Sequence, residues 1–264
     1  VGRSSVVEAY RQGWLNETAL SAPRSPMCRS VLVESAFAAA DVPVYDSTLY
    51  EGGASLSTAD NILRVGRELG LCSDDADTNA LVTRGDAAII LHVVLTQSFR
   101  IEEPPVPVTL VNAAGVNIND YLLALRQVPE PVLAAFNAAG WTYRIDFDYM
   151  GGLSKKLNMS CIGATNYSQK TIYLSDASAT LHEFGHFLDW TRGFPAEHEQ
   201  LFRAEAAAAP LRNYAKTNAR EYFADCFAYW VKYAENANAI SLLQECAPMT
   251  YRYMEDLMRI ANRL

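Results

Sequence analysis

The chain has 264 residues, a formal net charge of −8 and a pI near 5.1. Half of the residues are hydrophobic and 20% are charged, a composition that supports a packed core and excludes wholesale disorder. No lysine- or arginine-rich run tracks phosphates, which excludes a nucleic-acid partner. The longest apolar stretch, residues 87–95, is too short for a membrane span.

Residues 1–103 read as a helical N-terminal domain. The arginines at 11 and 67, and those at 29 and 84, mark a period of roughly 55 residues, which is repeat-like spacing. Each unit reads as a helix, a polar or acidic loop, then an apolar helix. Thr83 followed by Asp86 predicts an N-cap pair at the start of the last of these. Asp74, Asp75 and Asp77 form an acidic loop without the spacing of a calcium site. His92 interrupts an apolar run and reads as a core or interface histidine. Residues 104–107 hold three prolines, which fit neither a helix nor a central strand, and mark a linker.

Residues 108–264 mix strand and helix. Residues 108–111, 141–147 and 171–174 read as strands, and residues 121–126 and 131–139 as helices. Residues 151–166, rich in glycine and small polar residues, read as a loop. From residue 177 the pattern is helical, with breaks near 192–195, 210 and 248. The expected class is α+β, mostly helical, with a small sheet. The five cysteines, at 28, 72, 161, 226 and 246, are odd in number and scattered, which is no disulfide framework. No basic segment followed by an apolar run opens the sequence at Val1, so no signal peptide is expected within it. Asn16, Asn158 and Asn166 each begin an N-x-S/T triplet, which matters only in a glycosylating source.

Two of the four histidines fall in Leu181-His182-Glu183-Phe184-Gly185-His186. This is HExxH. On a helix, positions i and i+4 share a face, so His182 and His186 can aim at one Zn²⁺ while Glu183 reaches a water beside it. Gly185 lets another element approach closely. A catalytic zinc site needs a third protein ligand, and the continuation that would place a histidine at 192 is absent, since that residue is arginine. The candidate is Glu221, 35 residues beyond His186. Asp225, at i+4 from it, can accept the other N–H of a ligating histidine. The alternative is an exposed helix with scattered acids, and the aromatic company of Tyr222, Phe223, Phe227 and Trp230 argues against it. Asp189 either supports a ligand or caps its helix. His198, in a polar segment, reads as exposed.

His182-Glu183-Phe184-Gly185-His186, followed by Tyr214, Asn218, Glu221-Tyr222-Phe223-Ala224 and Asp225, resembles the catalytic domain of the anthrax lethal factor type. That family includes the secreted bacterial Pro-Pro endopeptidases, and residues 116–145 resemble its entry elements more loosely. The resemblance implies a zincin-like catalytic domain over 108–264, with an HExxH active-site helix. It implies Zn²⁺ on His182, His186 and Glu221, Glu183 as general base, Tyr214 as oxyanion donor, and Asp225 and Asn218 as supporting residues. It also implies a protein or peptide substrate and a secreted or cell-surface bacterial setting. Asp225 stands where the family more often has glutamate, and Arg220 is a position where substrate preference can diverge. Residues 171–174 read either as an edge strand beside the cleft or as a plain core strand. The segment 81–88 resembles an S-layer homology module, so residues 1–103 read as two such units, which implies a cell-wall polymer as partner. The competing reading is a wall- or surface-binding protein with a vestigial metal site.

Overall fold

A computed structural model describes residues 3–15, 17–22, 24–73 and 77–261. Asp74, Asp75 and Asn16 lie outside the described residues. The chain divides into two compact units, Val1–Pro105 and Val106–Leu264. Among the described residues, no helix is long and apolar enough to cross a membrane.

The first unit contains α1 (Arg3–Arg11), α2 (Glu17–Ser21), α3 (Arg29–Ala39), α4 (Thr58–Glu68) and α5 (Arg84–Thr96). Val33 and Phe37 from α3, Leu63 from α4 and Ile90 from α5 form its core. The start of α5 is fixed by the reciprocal pair that the spacing predicts. The Asp86 N–H donates to the Thr83 hydroxyl (3.1 Å) and the Thr83 N–H to the Asp86 carboxylate (2.9 Å). The loops before α3 and α5 meet in a backbone bridge, in which Arg29 N–H donates to the Ala80 carbonyl and Val82 N–H to that of Met27. His92 is exposed on α5 and is not a core residue. Among the described residues, the helix buries Ile90 and Val93, and His92 lies off that side.

The second unit is α+β and mostly helical. Its strands are β1 (Leu110–Asn112), β2 (Thr142–Ile145), β3 (Gly163–Asn166) and β4 (Thr171–Leu174), in the order β1-β2-β4-β3. β1, β2 and β4 run parallel, and β3 pairs antiparallel to β4. The crossover from β1 to β2 runs through α6 (Asn119–Gln127) and α7 (Glu130–Ala138), and α8 (Phe147–Leu157) follows β2. The remaining helices are α9 (Thr180–Thr191), α10 (Ala196–Glu205), α11 (Ala219–Lys232), α12 (Ala237–Cys246) and α13 (Pro248–Ala261).

One sequence expectation changes here, and one open alternative is decided. Residues 151–166 are not one loop: α8 continues to Leu157 and β3 begins at Gly163. α8 is capped by Asp146, whose carboxylate accepts the Tyr149 N–H (2.9 Å). It is held by stacking of Tyr149 on Tyr173 of β4, with ring centroids 3.7 Å apart. A Cβ at Gly151 or Gly152 would meet nothing within 4 Å, so these glycines mark open surface rather than a turn. β4 is an interior strand, and all four of its residues are buried. The edges of the sheet are β1 and, beside β4, β3, whose pairing with β4 supplies what its short polar sequence lacks.

Candidate metal centre and cleft

The sheet fixes α9. The Tyr143 hydroxyl on β2 lies 2.7 Å from the Thr180 hydroxyl, both buried at the first turn of the helix. Phe184 and Phe187 pack from α9 onto Phe136 of α7, with centroids 4.9 and 5.1 Å away. The opposite side of α9 meets α11. A Cβ at Gly185 would lie 2.6 Å from Ala224 Cα, so only glycine permits this approach. The close crossing brings Glu221 and Asp225 of α11 to the histidines of α9.

Three ligand atoms converge there. His182 Nε2 and His186 Nε2 are 3.1 Å apart. Glu221 Oε2 lies 3.1 Å from the first and 3.3 Å from the second. Neither contact has hydrogen-bond geometry, and Oε2 is buried without a hydrogen-bond partner. Buried lone pairs facing one point without hydrogen bonds want a cation. Tetrahedral zinc with bonds near 2.0–2.1 Å holds its ligand atoms about 3.3 Å apart, and this triangle has that size. The residues therefore fit the ion. The electrostatics agree. Burial opposes an imidazolium at His182, but the hydrogen bond that its Nδ1 makes to Asp225 and the nearby carboxylates of Glu221 and Glu183 outweigh it, and its pKa is pushed up to about 9. Burial would likewise raise the Glu221 pKa, but the two facing imidazoles hold its carboxyl well below the usual range.

Each surrounding side chain has a partner. Asp225 Oδ1 lies 2.6 Å from His182 Nδ1. Burial would raise the Asp225 pKa, but His182 and Arg212 lower it. An ionised carboxylate only accepts, so Nδ1 keeps its proton in either charge state of the ring, and Nε2 is the nitrogen that gives up its proton to leave a lone pair for a metal. Arg212 grips the same carboxylate with both ends of its fork, Nε to Oδ2 (2.6 Å) and NH2 to Oδ1 (2.7 Å). Its guanidinium also sits over the Tyr214 ring, 5.3 Å from the centroid. Sequence reasoning missed Arg212. The one signal for it was the short Asp225 side chain, which leaves room for a partner.

Glu183 is buried, and its Oε2 accepts the Thr165 hydroxyl of β3 (2.7 Å). A Cβ at Gly163 would stand 2.6 Å from Glu183 Oε1. Tyr214 lies on a 3₁₀ turn (Asn213–Lys216), with its ring 6.2 Å from that of His182. Burial, then the charge of Glu221, pushes its phenol pKa up to about 12, so it holds its proton at neutral pH. Asn218 caps α11, accepting the N–H groups of Arg220 and Glu221 (3.1 Å each), and so sets the position of Glu221 through the backbone.

Asp189 and His198 lie elsewhere. His198 is buried rather than exposed. Its Nδ1 is 2.8 Å from Asp189 Oδ1, its Nε2 is 2.7 Å from the Tyr253 hydroxyl, and its ring stacks on Phe223. Asp189 thus binds His198 and neither supports a ligand nor caps its helix.

The cluster opens into a cleft. A cavity of about 710 Å³ reaches from His182 and Glu183 past Arg212 to Tyr229 and Tyr233. Another of about 570 Å³ runs from the same two residues along β3 to Tyr167 and Arg220. Both share Met159, Cys161, Gly163 and Tyr214, so they are two arms meeting at the cluster.

Residues 146–257 match the model of the family described as "Anthrax toxin lethal factor, N- and C-terminal domain". Among solved structures, a Pro-Pro endopeptidase from Paenibacillus alvei is similar, with a TM-score of 0.44 and 17% identity over 56% of this chain and 96% of that one. No curated protein matches. The matched segment holds all three residues of the converging cluster, so the similarity to the lethal factor family lies over this site.

Proposed function

We propose that the second unit is a zinc-dependent endopeptidase acting on proteins outside the cell. His182, His186 and Glu221 would hold Zn²⁺, which when bound supplies Lewis acidity to a substrate carbonyl and to water. The rest of the chemistry falls to the chain. Glu183 takes a proton from the attacking water at its carboxylate and returns it to the leaving amine. Thr165 fixes that carboxylate by its hydrogen bond. Tyr214, protonated at neutral pH, donates to the oxyanion that forms on the substrate. The free edge of β3 binds an extended peptide by main-chain hydrogen bonds. Asp225, itself gripped by Arg212, holds His182 in the required tautomer.

The carrying observation is the three-atom triangle with Glu183 and Tyr214 beside it in one open cleft. A complete set argues against a vestigial site in a surface-binding protein. Metal analysis of protein purified without chelator should give about one zinc per chain. Glu183→Gln should keep the zinc and lose cleavage of a peptide library by about 10²–10⁴-fold. A metal-free active protein, or full turnover by the variant, would overturn the reading.

A further inference from the structure

Among the described residues, one cation in the arm of the cleft along β3 lacks a carboxylate. Arg220 follows Asn218 and Ala219 at the start of α11 and lines the arm of the cleft that runs along β3. Among the described residues, no carboxylate oxygen lies within 4.0 Å of its guanidinium. Glu199, which lines the same arm, is occupied by Arg203 at 2.7 Å. Arg220 is instead seated on rings, 4.2 Å from the Phe194 centroid and 6.0 Å from that of Tyr167. Those rings stand edge to face, 5.3 Å apart, and Tyr167 packs in turn on Trp141.

The seat is held at a cost. Phe194 has φ +54, a left-handed backbone that a bulky side chain rarely adopts. Its N–H donates to the Asp189 carbonyl (3.0 Å), and Gly193 before it is also left-handed. Such strain persists where the surroundings over-determine it, and it concentrates at binding sites. The result is a guanidinium held in place by rings, with its N–H groups free for a planar anion.

The position sets the distance. β3 starts at Gly163 against Glu183 and runs to Asn166, next to Tyr167. At about 3.3 Å per residue, that edge covers roughly 10 Å. A peptide laid on it reaches Arg220 two or three residues from the bond beside Glu183.

We propose that Arg220 on its Phe194–Tyr167 seat is a carboxylate subsite, which selects peptides bearing a carboxylate two or three residues from the scissile bond. The inference rests on the peptidase reading above. The carboxylate comes from an aspartate or glutamate side chain or from the peptide's own C-terminus.

The test uses the full chain loaded with zinc and matched versions of one cleaved peptide. These carry glutamate or glutamine at each of the two positions, or end there as a free acid or an amide. The acidic version should be cleaved with kcat/KM roughly tenfold or more above its neutral counterpart, the range of one charge-assisted hydrogen bond. The glutamate pair and the acid–amide pair tell the two sources apart. Arg220→Gln should erase the ratio, and Arg220→Glu should invert it in favour of a lysine version. Binding of the same peptides to the Glu183→Gln chain, read by fluorescence anisotropy, should follow the same ratios. Equal ratios in wild type and Arg220→Gln, in cleavage and in binding, overturn the subsite. A preserved binding ratio without any cleavage would instead overturn the peptidase reading and leave the subsite standing.

Discussion

Asp225→Asn is the sharpest test of how the metal ligands are held. The wild-type carboxylate receives three contacts, His182 Nδ1 at 2.6 Å and the Arg212 fork at 2.6 and 2.7 Å. A charge-assisted hydrogen bond contributes about 1.5–3 kcal/mol where it is shielded from water. The His182 contact is shielded, since both side chains are about 90% buried or more. The Arg212 side chain is 55% exposed, so its two bonds are discounted toward the ~1 kcal/mol or less of a surface pair. The His182 contact therefore dominates. Asparagine removes the charge and one of the two acceptors, so that His182 and Arg212 compete for one oxygen, and zinc should weaken by about 10–100-fold, the usual cost of disturbing the partner of a ligating histidine. Competition against a chromophoric chelator measures this directly, with circular dichroism as the control for folding. Arg212→Ala should cost less, about threefold to tenfold, because its contribution is screened. An Asp225→Asn protein that is folded and binds zinc within twofold of wild type would refute the assignment of Asp225 as the group that orients His182.

Three further outcomes follow from the same geometry. Tyr214→Phe should lower kcat by about 10²–10³-fold with little change in zinc content, the range for one oxyanion donor; a loss confined to KM would contradict the donor role. Gly185→Ala should destabilise the second unit by about 1–3 kcal/mol in chemical denaturation, because its Cβ drives into Ala224 of α11; unchanged stability would mean that the helices part at no cost. In chelator-treated protein, the His182 pKa, raised to about 9 from 6.5, contributes stability that is full below pH 6.5 and is lost as pH rises through about 9. The thermal midpoint should fall across that window, whereas His182→Gln should lack the fall. Depressed carboxyls at Glu221 and Asp225 act with the opposite sign, and their contribution is lost at acid pH, below the usual carboxylate range.

The parts legible in the sequence are those whose chemistry acts at short range. His182 and His186 are one helical turn apart, so a spacing in the sequence is already a spacing in space. Glu221 was reachable because a catalytic zinc needs a third ligand and the aromatic run 222–230 marks a buried helix. The capping pair at Thr83 and Asp86 is also local. His198 fails this criterion. Its partners lie 9 and 55 residues away, and the polar neighbours Glu197 and Glu199 face solvent from the same turn. The polar composition around it was real, but it belonged to the other side of α10.

The same distinction explains why the sheet edge beside the cleft was not legible. Residues 171–174 carry the β-branched and aromatic signal of a strand, and that signal belongs to the fully buried interior strand. An edge strand that lines a cleft needs the reverse. Gly163 must be bare to admit Glu183, Thr165 must carry a hydroxyl for the same carboxylate, and the free backbone must stay accessible to a peptide. The bare Gly163 removes strand character, and Thr165 alone in a segment of four residues does not restore it, so β3 looked like a loop. Gly163→Ala should therefore cut turnover by a larger factor than the modest stability that it costs. Its Cβ would meet the Glu183 carboxylate at 2.6 Å, which is displaced from its working position, and Ala179 Cβ at 2.8 Å, which yields only with its backbone. Denaturant midpoint and kcat measured on one preparation separate the two effects. A variant that loses stability but keeps its kcat would show that the glycine serves packing and not the catalytic glutamate.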